Sequence, residues 1–166
     1  MKARKRMSGF TLVEILIVVV ILGILAAIVI PQFTNASESA KASSLISQLQ
    51  TLRSQLELAQ IQHQGAYPPL ATFWTDLTTE TEQLGAYSGA ADDGDPSNNV
   101  GPYLQQPSVN PFENSSTVAA DNTGAWEYDV TTGALRAVMD NAKAIEVGLV
   151  PSTHSAGDPH PDILTK

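Results

Sequence analysis

Glu14 stands where the surrounding chain offers a carboxylate nothing. It is the only charged residue in FTLVEILIVVVILGILAAIVI, the apolar run from Phe10 to Ile30. If that run lies in a membrane, a carboxylate within it costs on the order of 3 kcal/mol and calls for a partner. No Lys, Arg or His falls inside the run, and Arg6 stands upstream beyond Gly9, which weakens any continuous helix. A cut between Gly9 and Phe10 would supply the missing cation. The new α-amino group of Phe10 would then lie one helical turn before Glu14, a spacing at which groups on a helix meet. Two readings follow: Glu14 pairs with such an amine, or it favours the positive end of its own helix, an effect worth about 0.3–1 kcal/mol.

Other groups with ligand chemistry are less complete. Asp93, Asp95, Ser97 and Asn99 place oxygen ligands at alternate positions, as the start of a calcium loop does. The full pattern would want Gly at 98 and Glu at 104, where this chain has Asn98 and Leu104, and Pro96 constrains the loop further. A solvated acidic loop is the plainer reading, with Asp93, Asp95 and Asn99 left as calcium candidates. His154, Asp158, His160 and Asp162 could gather around zinc, but the segment PSTHSAGDPHPDILTK gives them no helix to preset their geometry, so a flexible tail is expected. His63 stands alone near the end of a helical pattern. No serine sits in G-x-S-x-G, and no glycine-rich phosphate loop occurs. The absence of cysteine removes disulfides, thiolate metal sites and a Cys nucleophile together. Neither enzymatic activity nor a resident cofactor is expected.

The elements that must position Glu14 are set by charge and hydropathy. The chain is acidic, with 9 Lys+Arg against 17 Asp+Glu and a net charge of −8, and it has no long basic run, which argues against nucleic-acid binding. Lys2, Arg4, Lys5 and Arg6 crowd the start, and the apolar run follows at once. At about 1.5 Å per residue that run spans roughly 30 Å, the thickness of a bilayer's hydrocarbon core. It is too long for a secretory signal peptide, and Ile28, Val29 and Ile30 continue it past Leu25-Ala26-Ala27, the only tempting cleavage site. A retained anchor with its basic end in the cytoplasm fits the positive-inside bias, which puts the remainder on the far side.

Beyond Pro31 an amphipathic helical pattern resumes. Leu45, Leu49, Leu52, Leu56 and Ala59 recur at helical spacing with Ser, Gln, Arg and Glu between them, which predicts one helix from about Phe10 to about Gln62. Gly65, Pro68 and Pro69 end it. Leu70 to Leu84 reads as a short helix and Gly85 to Asn99 as a loop. Trp126, Tyr128 and Val130 alternate onto one face, as do Leu135, Ala137 and Met139, which predicts a β-hairpin. A third strand is expected over Ile145 to Val150.

Gly9 followed by FTLVEILIVVVILGILAAIVIPQF resembles the N-terminus of type IV pilins and of the pseudopilins of type II secretion. The family's Gly, Phe and Glu fall on Gly9, Phe10 and Glu14, and its helix-breaking Pro on Pro31. The segments GAYPPL, GPYL and Asn110-Pro111-Phe112 resemble short strings in pseudopilin heads. The resemblance implies cleavage after Gly9 by a membrane prepilin peptidase, methylation of the Phe10 amine, and pairing of Glu14 with the Phe10 amine of a neighbouring subunit. It also implies a flexible joint between Gly23 and Pro31. The calcium loop that major pseudopilins carry near the C-terminus has no match after Met139.

The expected architecture is α+β: a long N-terminal helical spine, its first half transmembrane, carrying a small antiparallel β-sheet head. Its parts are a basic leader at 1–9, a transmembrane or filament-core helix at 10–30, its amphipathic continuation at 31–62, an α+β head at 63–150 and a flexible tail at 151–166. The implied partners are sister subunits in a helical polymer, the prepilin peptidase, an inner-membrane platform and a cytoplasmic ATPase. The absent cysteines, short head and GPYL lean toward a type II secretion pseudopilin, with the head in the periplasm. A surface pilin is the alternative within the family. An unprocessed, membrane-anchored binding module is the alternative from another class, and an anchored hydrolase would need a cluster of acid and base residues that the sequence does not display.

Overall fold

The computed structural model describes residues 9–82, 87, 98–156, 160 and 162–165. The chain forms two compact units, one ending at Ser39 and the other beginning at Ala40. One helix, α1, Leu12–Gln62, contributes to both, close to the span its apolar periodicity predicts.

In the first unit α1 is bare. The large apolar side chains from Phe10 to Phe33 are all exposed, Phe10 at 80% and Ile30 at 63%. Runs of Val and Ile are mediocre helix formers in water. They suit a helix in a hydrocarbon medium, where every backbone group must find its partner within the segment. This part of α1 is long and apolar enough to cross a membrane, and none of that stretch is buried inside the protein. Pro31, the helix-breaking proline of the resemblance, lies inside α1, and the helix continues past it as the pattern from Phe10 to Gln62 predicts. Proline withholds one N–H from the carbonyl a turn earlier. The rungs on either side close, and Thr34 adds a bond from its hydroxyl to the Ile30 carbonyl at 3.2 Å.

In the second unit α1 acquires a covered face. Ala42, Leu45, Leu49, Leu52, Leu56 and Ala59 are buried in a single stripe, and the residues between them are half-buried or exposed. Tyr128, Trp126, Phe73, Leu77, Leu135 and Met139 join that stripe in one core. A 3-10 turn, Leu70–Thr72, and a short helix α2, Phe73–Thr78, follow α1. They occupy the first part of the expected Leu70–Leu84 helix, and Leu84 lies outside the described residues.

The strands form a two-stranded antiparallel pair, β1 (Thr81–Glu82) with β2 (Asn99–Val100), and a four-stranded sheet. The sheet runs in the order β3 (Val118–Ala119), β4 (Trp126–Tyr128), β5 (Leu135–Met139), β6 (Ile163–Thr165). Its centre is the predicted antiparallel hairpin, with Trp126 opposite Ala137 and Tyr128 opposite Leu135. β3 and β6 add to it in parallel. The α+β class therefore stands, as a long apolar N-terminal helix with small sheets in a pilin-like arrangement.

The hairpin turn is specified by its own residues. The Asp129 carboxylate accepts the Thr131 N–H at 2.8 Å and the Thr132 hydroxyl at 2.8 Å. Gly133 sits at φ +72°, and a Cβ there would lie 2.2 Å from Cζ of Tyr67, whose ring packs over it. Val130, expected on the buried face, belongs to this turn and is 47% exposed.

Two further expectations are corrected. Ile145 to Val150 is no strand: its first residues are the end of α3, Asn141–Glu146, a helix that starts because the Asp140 carboxylate accepts the Lys143 N–H at 3.0 Å and caps it. The segment 151–166 is not a loose tail throughout, since β6 pairs with β5 and buries Ile163 and Thr165. Arg53 of α1 secures this edge, bonding the Leu135 carbonyl through Nη2 at 2.6 Å and the Asp162 carboxylate through Nη1 at 2.6 Å.

Candidate functional site

Gly9 and Phe10 precede α1 in exposed chain, and Phe10 presents its ring to the surroundings. The first turn of α1 is closed by a reciprocal cap. The N–H and the hydroxyl of Thr11 each donate to Oε2 of Glu14 at 2.8 Å, and the Glu14 N–H donates back to the Thr11 hydroxyl oxygen at 3.2 Å. Two groups that a helix start leaves without partners are thereby satisfied. The second reading of Glu14, service at its own helix N-terminus, is thus what this single chain displays. Both carboxylate bonds fall on Oε2, so Oε1 remains open to a second donor among the described residues. Thr11 was not singled out from sequence, although T-x-x-E over 11–14 is the pattern that marks such a cap.

The other candidate ligands do not converge. Asp93, Asp95 and Ser97 lie outside the described residues, and Asn99 is a strand residue of β2. His154 and His160 do approach, with ring centroids 6.2 Å apart, but as ties for β6. Nδ1 of His160 accepts the N–H groups of Asp162 and Ile163 at 3.3 Å each, and Nε2 of His154 lies 3.2 Å from the Thr165 hydroxyl. Asp162 is committed to Arg53, and Asp158 lies outside the described residues. Among the described residues, no three His, Asp or Glu side chains are grouped to hold a metal ion.

His63 is not alone. It is buried, stacks on Tyr87 with centroids 4.0 Å apart, and places Nε2 2.9 Å from the Thr81 hydroxyl. Burial pushes the phenols of Tyr87 and Tyr128 upward, so both stay neutral, and Tyr128 donates to the Pro68 carbonyl at 2.9 Å. GPYL has a structural part: the bond Gly101-Pro102 is cis, and the N–H groups of Tyr103 and Leu104 reach the Leu77 carbonyl that ends α2. A groove of about 410 Å³ beside this segment, between Ser47–Leu52 of α1 and Gln106–Val109, is lined by hydroxyls, amides and apolar groups without an acid or a base.

Asn110, in sequence only the first residue of Asn110-Pro111-Phe112, acquires its role from the structure. It is fully buried; Nδ2 donates to the Ala125 carbonyl at 2.9 Å and the Val138 carbonyl at 2.8 Å, and Oδ1 accepts the Phe112 N–H at 2.9 Å. It fastens the 104–116 segment to the sheet. Asn before Pro is a turn signal, which the sequence did carry.

The exposed apolar helix with its capped, carboxylate-bearing start lies in the segment where the chain is similar to known proteins. Residues 4–30 match the family described as the prokaryotic N-terminal methylation motif. The chain is 42% identical over 65 residues to type II secretion system core protein G of Pseudomonas aeruginosa, covering 39% of this chain and 45% of that protein. It is 37% identical over 91 residues to the type IV major fimbrial protein FimA of Dichelobacter nodosus, covering 51% of this chain and 58% of that one. Over 60 residues it is 38% identical to the type IV narrow pilus major component PilA5 of Thermus thermophilus, with 36% and 52% covered. The chain thus spans about half the length of the curated relatives it matches. No solved structure matches significantly.

Proposed function

We propose that this chain is a structural subunit of a pilus-like filament, and specifically a pseudopilin of type II protein secretion. In this reading the prepilin peptidase cuts between Gly9 and Phe10 and the Phe10 amine is methylated. The subunit waits in the inner membrane with its head in the periplasm, and a platform protein and a cytoplasmic ATPase drive it into a helical polymer. The observation that carries the reading is the coincidence, in one segment, of the methylation motif over 4–30 with a helix whose apolar surface is left exposed by the described residues. Relatives named as core protein G supply the secretion assignment.

Glu14 is the assembly residue. Its free Oε1 receives the Phe10 amine of a neighbouring subunit, and Thr11 meanwhile lowers the cost of carrying the carboxylate through lipid. Small residues Gly23, Ala26 and Ala27 allow neighbouring helices close approach. A surface pilin is the second reading, favoured by the longer match to FimA, which reaches beyond the apolar helix.

Intact-mass and N-terminal peptide mass spectrometry of the protein from its native membrane tests the proposal. Loss of Met1 to Gly9 with one methyl on Phe10 is expected. A retained leader in a host with an active prepilin peptidase would replace it with an unprocessed membrane-anchored module.

A further inference from the structure

We propose that Asn114 is an acceptor for N-linked glycan on the head. The tripeptide Asn114-Ser115-Ser116 has the Asn-x-Ser form of an N-glycosylation acceptor, as does Asn35-Ala36-Ser37. The fold separates them. Asn35 lies within α1, its backbone committed to the helix close to the membrane segment. Asn114 stands at the exposed corner of a turn closed by the Asn110–Ser115 bridge, with its N–H on the Asn110 carbonyl at 2.8 Å and φ at +49°.

The local hydrogen bonds leave the reacting groups available. Among the described residues neither the Asn114 carboxamide nor the Ser116 hydroxyl finds a hydrogen-bond partner, whereas the Ser115 hydroxyl bonds Thr117 at 3.1 Å and the Ser116 carbonyl accepts from Nε1 of Trp74 at 2.5 Å. The turn is therefore held from its flanks while the acceptor side chain projects freely. Asn110, four residues earlier, is the contrast: buried and bonded at both ends of its carboxamide, and followed by Pro111.

The donor class is a lipid pyrophosphate-linked oligosaccharide. The Asn114 amide nitrogen attacks the anomeric carbon, a C–N bond forms, the C–O bond to pyrophosphate breaks, and the amide proton leaves with the lipid pyrophosphate. Such a donor is met on the side of the membrane opposite the basic leader, so the inference rests on the placement of the head proposed above.

Full-length protein is purified from its native membrane and digested, and the peptide carrying Asn114 is compared with the N-terminal peptide in the same spectrum. A glycan increment on Asn114 is expected, removed by a glycoamidase that leaves aspartate, lost in Asn114→Gln and Ser116→Ala, and retained in Ser116→Thr. An unmodified Asn114 peptide, or an increment on Ser115 or Ser116 that survives Asn114→Gln, overturns the proposal. The N-terminal peptide reports separately whether processing, and with it the filament reading, has failed.

Discussion

Replacing Asn110 by alanine removes the bonds from Nδ2 to the Ala125 and Val138 carbonyls and the bond from the Phe112 N–H to Oδ1, all between 2.8 and 2.9 Å. At about 1 kcal/mol for each such bond, Asn110→Ala should lose ~3 kcal/mol, much of a small domain's margin. Trp126 reports the loss directly, because it is buried in the same core and donates from Nε1 to the Ser108 carbonyl at 3.0 Å. Guanidinium unfolding of the full chain in detergent, followed by tryptophan fluorescence, gives the number. Ser108→Ala is the control: it loses one half-buried bond to Gln48 and should cost ~1 kcal/mol or less. Asn110→Asp keeps the shape but aims a carboxylate at carbonyl oxygens in a dry site, which raises the folded pKa of the introduced carboxyl above the ordinary value of about 4. Stability of that variant should be highest below pH ~4 and fall as pH rises through the raised pKa. A cost below ~1 kcal/mol for Asn110→Ala, or an Asn110→Asp curve parallel to wild type in pH, would refute the assignment of Asn110 as the fastening between the 104–116 segment and the sheet.

Glu14→Gln keeps the bonds to Thr11 in shape but removes the charge offered to a neighbour's amine, so filaments seen by electron microscopy should fall well below wild-type yield at equal membrane levels. Normal yield would leave Glu14 as a helix cap alone. Thr11→Val, which deletes the hydroxyl from the cap, should lower the stored amount of membrane subunit by pulse-chase while sparing cleavage at Gly9. Gly133→Ala meets both the left-handed backbone and the Tyr67 ring, and should destabilise the head by ~1–3 kcal/mol in the same unfolding assay. The Asp129 carboxyl is held below its ordinary range by its bonds from Thr132 and then Thr131, so its contribution is present above the unfolded pKa and lost as pH falls through the lower folded one. Asp129→Asn should flatten that acid limb, read as amide exchange at Gly133 between pH ~2 and ~5.

The parts of this molecule that were legible in sequence are those with local causes. The Leu45-to-Ala59 stripe and the Trp126–Met139 hairpin follow from periodicity, and the structure buries the stripe and Trp126, Tyr128, Leu135, Ala137 and Met139. The misread segments depend on partners distant in the chain or on one capping residue. Ile145 has strand-like neighbours, yet Asp140 decides for a helix. Ile163–Thr165 is too short to show a period, and what makes it a strand is β5 and Arg53. Pro31, a helix breaker by propensity, is carried within the one long helix that the flanking pattern predicts. At the N-terminus, Glu14 stands out by type as the one charge in an apolar run, and its cap partner Thr11 follows from the T-x-x-E pattern that the structure closes.

The tie between Arg53 and Asp162 joins residues 109 positions apart, which gives the head a schedule. At translation speeds of roughly 5–20 residues per second, the helix emerges on the order of 5–20 s before the strand that locks its guanidinium. During that interval Leu45, Leu49, Leu52 and Leu56 have been made, but the sheet edge that completes their enclosure has not. The apolar helix is complete early, whereas the head can close only after Asp162 and β6 have been made. Until Asp162 has been made, the leucine stripe lacks the edge that completes its cover and must be shielded by something other than its own sheet.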